Sequence, residues 1–344
     1  MNHLFQYDQP FLVESGRTLP QLTIAYYDNQ LQNARRTVWV CHALSGSSDV
    51  SEWWPGLVSE KRLFDPSLDR IICANVLGSC YGTSGPKGLE YPNEFPEVTI
   101  KDFAKAHQLL ADHLGLSKID VLIGASLGGQ QALEWSVQHP LFFEQLILIA
   151  TNAVHSPYGI AFNEAQRLAL RSDLTFGLKN GGKEGLKAAR AIAMLSYRSY
   201  NDFGLKHAEN SLKSGNYKAA SYVRYQGEKF VERFDPYSYN LLTKAMDSHD
   251  IRRGRKGTIS EVLKNVKAKT LVVGIDSDLL FPLSEQQLLA TYIPGAEFGL
   301  IESPHGHDSF LIEYDKLNEL LVEFFYNNFN GYKQTQLKRK INLN

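Results

Sequence analysis

One short segment constrains this chain more than any other. Ile119-Asp120-Val121-Leu122-Ile123 reads as a buried strand, and Gln130 to Gln138 reads as a helix. Only a tight, glycine-flanked turn, Gly124-Ala125-Ser126-Leu127-Gly128, lies between them. The same rhythm surrounds this unit. Thr37–Cys41, Arg70–Ala74 and Leu146–Ala150 are short apolar runs rich in β-branched residues, and Phe103 to Leu114 carries helical spacing of apolar residues. Strands alternating with helices predict the α/β class, a mostly parallel sheet with helices on both faces.

The rhythm breaks after Ala150. From Thr151 to Val266 no run reads as a buried strand. Helical stretches at Ala161 to Leu170 and Gly185 to Leu195 are separated by Gly181-Gly182-Lys183 and by Arg252-Arg253-Gly254-Arg255-Lys256-Gly257. Strands return at Thr270–Gly274 and Phe298–Ile301, and a last helix fits Leu317 to Phe325. The expected organisation is a discontinuous core over 1–150 and 267–330, a helical lid inserted at 151–266, and a basic tail over 331–344. With 344 residues the chain is long enough for a large core plus such an insertion.

Charge excludes some functions. A formal net charge of −1 gives no broad field for nucleic acid or an acidic membrane. No apolar run approaches the roughly 18 residues of a membrane span. The first residues lack a basic region followed by an apolar run, so no secretory signal is expected. Cys41, Cys73 and Cys80 fit no zinc or CxxC spacing and read as reduced core thiols, as in a cytoplasmic protein. No metal is implied.

The turn at Ser126 is where chemistry enters. A serine between strand and helix, with glycine two residues before and two after, fits a nucleophile elbow. The turn forces an unusual backbone angle on the serine, and a side chain at 124 or 128 would collide with neighbouring backbone. The helix that follows aims backbone N–H groups, that of Leu127 among them, at a developing oxyanion. A second donor is expected from the loop after an early strand, where Cys41-His42-Ala43-Leu44-Ser45-Gly46 offers the N–H of Leu44.

A serine hydroxyl also needs a base, and the base an orienting acid. On an α/β-hydrolase fold these follow in the order Ser, Asp or Glu, His, each on a loop after a strand. Asp276 and Asp278 both follow the strand ending at Gly274, and His305 and His307 both follow the next one. Spacing does not choose within either pair. His42 precedes Ser126 and reads as structural.

At these residues the chain resembles the homoserine O-acetyltransferase family, from about Phe11 to about Phe325. The resemblance is carried by Val40–Gly46, by Cys73–Gly82 with Thr83–Pro86, and by Phe95–Ile100. It continues in Ser126–Gly129 with Gln131–Trp135, Arg233–Asp235, Ser248–Asp250 and Gly306–Asp308. It implies that Asp278 is the acid and His307 the base. It further implies that Asp308 binds the amino group of homoserine and that Arg190 binds the carboxylate, with Arg198 as a competing choice. One anion and one bidentate cation suit a zwitterion. The chain departs from the family pattern at Ala125, Gln130 and His305, and its stretch from Arg167 to Arg190 is short.

Family members that use succinyl-CoA resemble one another in having Arg two positions after the triad Asp. That position here is Leu280, which cannot neutralise a succinyl carboxylate. The expected reaction is therefore ping-pong acetyl transfer from acetyl-CoA, a co-substrate and not a bound cofactor, to L-homoserine in methionine biosynthesis. The alternatives are a serine O-acyltransferase, a homoserine O-succinyltransferase, and an esterase or thioesterase on the same triad. The resemblance also implies a homodimer through the lid helices.

Overall fold

A computed structural model describes residues 2–328 apart from 210–214 and 216. The basic tail expected at 331–344 lies outside the described residues. The strands are β1 (Asn2–Tyr7), β2 (Phe11–Leu12), β3 (Thr18–Leu19), β4 (Leu22–Asp28), β5 (Thr37–Cys41), β6 (Arg70–Ala74), β7 (Ile119–Ala125), β8 (Phe143–Ile149), β9 (Lys269–Ile275) and β10 (Glu297–Ile301). Eight of them form one sheet in the order β1-β4-β6-β5-β7-β8-β9-β10. From β6 to β10 the neighbours run parallel, while β4 pairs antiparallel with both β1 and β6.

The helices are α1 (Val50–Trp53), α2 (Ile100–His113), α3 (Leu127–Gln138), α4 (Pro157–Arg171), α5 (Lys183–Tyr197), α6 (Tyr200–His207), α7 (Lys218–Val231), α8 (Pro236–Asp247), α9 (Ile259–Leu263), α10 (Leu283–Tyr292) and α11 (Tyr314–Asn328). The unbroken apolar strands are explained by burial on both sides. Along β5, Trp39 and Cys41 enter one core while Val38 and Val40 enter the other. In β7, Leu122 joins the first core and Val121 and Ile123 the second. Successive residues point to opposite faces, so each strand feeds both layers. The first face is covered by α2, α3 and α10, with Phe103, Trp135 and Leu289 fully buried. The second is covered by α11 through Leu317, Leu321 and Phe325.

The parallel strands and their helices match the sequence expectation closely. β1 and β4 were not expected from sequence. β4 is legible in hindsight, because Leu22-Thr23-Ile24-Ala25-Tyr26-Tyr27-Asp28 is rich in β-branched and aromatic residues. Leu146–Ala150 ends as a strand one residue early, where Ala150 turns to φ 46°.

Helices α4 to α8 rise between β8 and β9. Their stem closes where Val154 bridges Asp250, flanked by His155 N–H to His249 O at 2.8 Å and Ile251 N–H to Ala153 O at 2.9 Å. Helix α9 then packs beside α10 and buries Val262 and Leu263 in the first core. Within the stem-bound group, α5 packs against both α4 and α7. The carboxyl ends of β5, β7, β9 and β10 all open beneath these helices, the place where ligands bind in open parallel sheets.

Candidate active site

Ser126 sits where β7 ends and α3 begins, with φ 56° and ψ −126°. The backbone holds it there from both sides. Its N–H donates to Ile149 O at 3.0 Å, and its carbonyl accepts from Thr151 Oγ1 at 2.9 Å and from Gln130 N–H at 3.1 Å. The flanking glycines have a steric reason. A Cβ at Gly124 would lie 2.1 Å from Gly128 O, and one at Gly128 would lie 2.1 Å from Cys41 O. The strand, the turn and the helix touch through bare backbone, so only glycine permits the turn.

The loop after β5 lies beside this turn, because Cys41 pairs with Gly124 in the sheet register. Leu44 follows in a turn closed by Gly46 N–H to Ala43 O at 2.9 Å. His42 is fully buried; one ring nitrogen lies 2.8 Å from Ala43 O and the other accepts from Val76 N–H at 3.1 Å. Burial pushes its pKa down to about 4, so the ring stays neutral and serves the loop.

Geometry separates the two ambiguous pairs. His307 Nδ1 lies 2.6 Å from Asp278 Oδ2. The other oxygen of Asp278 accepts the N–H groups of Leu280 and Phe281, each at 2.9 Å. Asp276 instead accepts Ser303 N–H at 2.9 Å and ties one loop to the next. His305 pairs with Asp202 at 2.8 Å, away from Asp278. The His307 ring stacks on Phe281 at 5.0 Å and meets Phe310 edge-on at 5.5 Å. Burial disfavours its imidazolium, but the Asp278 carboxylate, its hydrogen bond and nearby Asp308 outweigh that, and the pKa is raised above 6.5.

Arg190 and Asp308 meet less simply than the sequence implies. Among the described residues Arg190 forms no ion pair; its Nε and Nη1 are buried without a hydrogen-bond partner. Its guanidinium lies over Phe230 at 4.7 Å and over Tyr197 at 5.3 Å. Asp308 pairs instead with Arg198, Oδ2 to Nη2 at 3.2 Å. Burial raises the Asp308 pKa against the pull of Arg198, His307 and Arg190.

Tyr197 was missed from sequence. It stands 6.0 Å from the His307 ring and beneath Arg190. The signal was available: residues 190 and 197 are seven apart, two turns along α5, and so share a face. Leu280, two residues past Asp278, is an apolar residue at 5% exposure.

Comparisons with known proteins place this arrangement. Residues 36–314 match the model of the alpha/beta hydrolase fold family. A homoserine O-acetyltransferase of Cyclobacterium marinum is 44% identical over 335 residues, spanning 94% of this chain and 95% of that protein. The crystal structure of homoserine O-acetyltransferase from Staphylococcus aureus superposes with a TM-score of 0.81 at 29% identity, covering 97% of both chains. The acetyl esterase MekB superposes with a TM-score of 0.83 at 25% identity, covering 94% of this chain and 96% of its own. The chain therefore belongs to the homoserine O-acetyltransferase family, within the alpha/beta hydrolase fold.

Proposed function

We propose that this protein moves an acetyl group from acetyl-CoA to the side-chain hydroxyl of L-homoserine, giving O-acetyl-L-homoserine for methionine biosynthesis. His307, oriented by Asp278, takes the proton of Ser126 through Nε2, since Nδ1 faces the carboxylate. Ser126 Oγ attacks the thioester carbonyl, and the N–H groups of Leu44 and Leu127 hold the oxyanion. The protonated His307 gives its proton to the departing CoA thiolate, and an acetyl-serine remains. Homoserine then enters, His307 takes the proton of its hydroxyl, and the oxygen attacks the acetyl carbon. Collapse of the second oxyanion breaks the bond to Ser126 Oγ, which takes the proton back from His307.

The observation that carries this reading is Arg190. A guanidinium with two buried, unpartnered nitrogens beside a triad is costly unless a ligand completes it. A carboxylate fits its fork, and the nearby Asp308 fits an ammonium. Together they describe an α-amino acid, with its side chain directed at Ser126. Water alone would need neither group.

Acetyl rather than succinyl transfer is supported by Leu280, which offers no charge to a second carboxylate. The CoA phosphates are assigned to Lys or Arg at the cleft mouth. Cytoplasmic residence is supported by three free, buried cysteines. Among the described residues, no helix is long and apolar enough to cross a membrane. A homodimer through the lid is supported by Leu195, Tyr200 and Leu205, all exposed on α5 and α6.

The likeness to an acetyl esterase favours one second reading, hydrolysis on the same triad. Steady-state CoA release from acetyl-CoA separates the two. Transfer predicts release that depends on added homoserine. Release at the same rate without homoserine would establish the hydrolase instead.

A further inference from the structure

The corner between α5 and α6 docks on the loop that carries His307. Ser199 Oγ donates to Pro304 O, and Gly306, at φ 69°, lies so close that a Cβ there would be 2.6 Å from Ser199 N. Arg198 sits in this corner and reaches Asp308 Oδ2 at 3.2 Å with Nη2. Its other terminal nitrogen lies 3.8 Å from Asp202 Oδ2, one turn ahead on α6. Asp202 is itself fixed by Lys206 at 2.9 Å and by His305 Nδ1 at 2.8 Å. The far nitrogen of His305 lies 4.0 Å from Glu313.

We propose that Arg198 is a positioning residue for the acceptor half-reaction: it holds the Asp308 carboxylate in place for the amino group of the incoming amino acid, and Asp202 is the counterion that lets it do so. The proposal rests on the acetyl-transfer reading above and adds to it.

A lone arginine beside Asp308 would compete with the substrate's ammonium for the same carboxylate. Here Arg198 approaches Asp308 through Nη2 and Oδ2 at 3.2 Å, and Oδ1 is the oxygen assigned to the ammonium. Asp202, which it shares with Lys206, offsets part of its positive charge and so lowers the repulsion at that position. Arg190 is spared for the carboxylate because Arg198, and not Arg190, satisfies Asp308. The two arginines thus divide the work: one binds the substrate's anion, the other steadies the protein's. Asp308 directly follows His307, so a wandering carboxylate would misplace the acceptor hydroxyl relative to its base.

The test compares Arg198→Met and Arg198→Lys with the wild-type protein in two measurements. One is the burst of CoA on mixing with acetyl-CoA alone. The other is homoserine-dependent turnover. A wild-type protein without homoserine-dependent turnover would sink the acetyl-transfer reading itself, independently of Arg198. With that reading intact, the burst is expected to stay within about twofold in both variants. The KM for homoserine is expected to rise at least about tenfold in Arg198→Met, with partial recovery in Arg198→Lys. An unchanged KM for homoserine in Arg198→Met would overturn the proposal. So would loss of the burst in both variants, because Arg198 would then support the whole His307 loop and not the acceptor.

Discussion

The nucleophile turn and the lid corner hold their functional groups by opposite means. At the turn, backbone does most of the holding: the main chain of Ser126 is fixed by two main-chain hydrogen bonds and one from the Thr151 hydroxyl, and by glycines whose Cβ atoms would strike carbonyl oxygens at 2.1 Å. At the corner, Arg198, Asp308 and Asp202 hold one another through charged side chains at 3.2 and 3.8 Å, and Arg190 waits unpaired. The contrast implies a division of labour. The sheet places the acyl chemistry rigidly and without regard to the acceptor. On the proposed reading, the lid selects the acceptor that receives the acyl group, with side chains that can change without disturbing the sheet.

If that division holds, substitutions on the two sides should fail differently. The largest expected effect is at Asp278. Asp278→Asn keeps the shape but loses the charge that orients His307, and kcat should fall roughly a thousand- to ten-thousandfold in both half-reactions. Stopped-flow CoA release and homoserine turnover would report this together. A loss confined to homoserine turnover would break the comparison.

Gly124→Ala tests the steric side. Its methyl would meet Gly128 O, so the turn must open or the fold must loosen. A loss of about 3 kcal/mol or more in unfolding free energy is expected from denaturant titration. A variant of normal stability would mean that the turn is not held by backbone contact.

Arg190→Met tests the charged side. It removes a charge-assisted fork, and the KM for homoserine should rise roughly 10- to 100-fold while the acetyl-CoA burst and the melting temperature hold. Coincident loss of the burst would place Arg190 in the chemistry and blur the two regions.

The smallest effect is on pH. The raised pKa of His307 means that it is still partly protonated at pH 6.5. The base must be neutral, so kcat/KM for acetyl-CoA should climb with pH through an inflection above 6.5 and then level. In Asp278→Asn the carboxylate that contributes most to raising the value is gone, and only Asp308 remains to oppose burial. The inflection of the residual activity should then move downward. A profile flat between pH 6 and 8 would contradict the role of His307 as base.

Sequence legibility followed the same divide. The elbow, the parallel strands and the order of Ser126, Asp278 and His307 could be read because they follow local rules. Strand period, glycine spacing and chain order are all written within a few residues. The choice of Asp278 over Asp276 and of His307 over His305 could not be read from spacing, since each pair shares one loop. It follows from contact between two loops that fold together, 2.6 Å for one pair and Asp202 for the other. The lid corner was the least legible. Arg190 was identified by resemblance, but the partnership of Arg198 with Asp308 joins residues 110 positions apart, and no local pattern encodes it. The antiparallel strands β1 and β4 were less legible because polar residues such as Gln6 and Thr23 interrupt the apolar runs that mark the central strands.

The central claim is that Ser126 carries the acetyl group between two substrates, and intact-mass spectrometry tests it most directly. The protein would be mixed with acetyl-CoA, quenched in acid, and compared with a sample chased by homoserine. The account predicts a mass increase of one acetyl group, mapped to Ser126, lost on the homoserine chase with formation of O-acetyl-L-homoserine, and absent in Ser126→Ala. An acetyl group that maps elsewhere, or homoserine-dependent turnover that survives in Ser126→Ala, would contradict it.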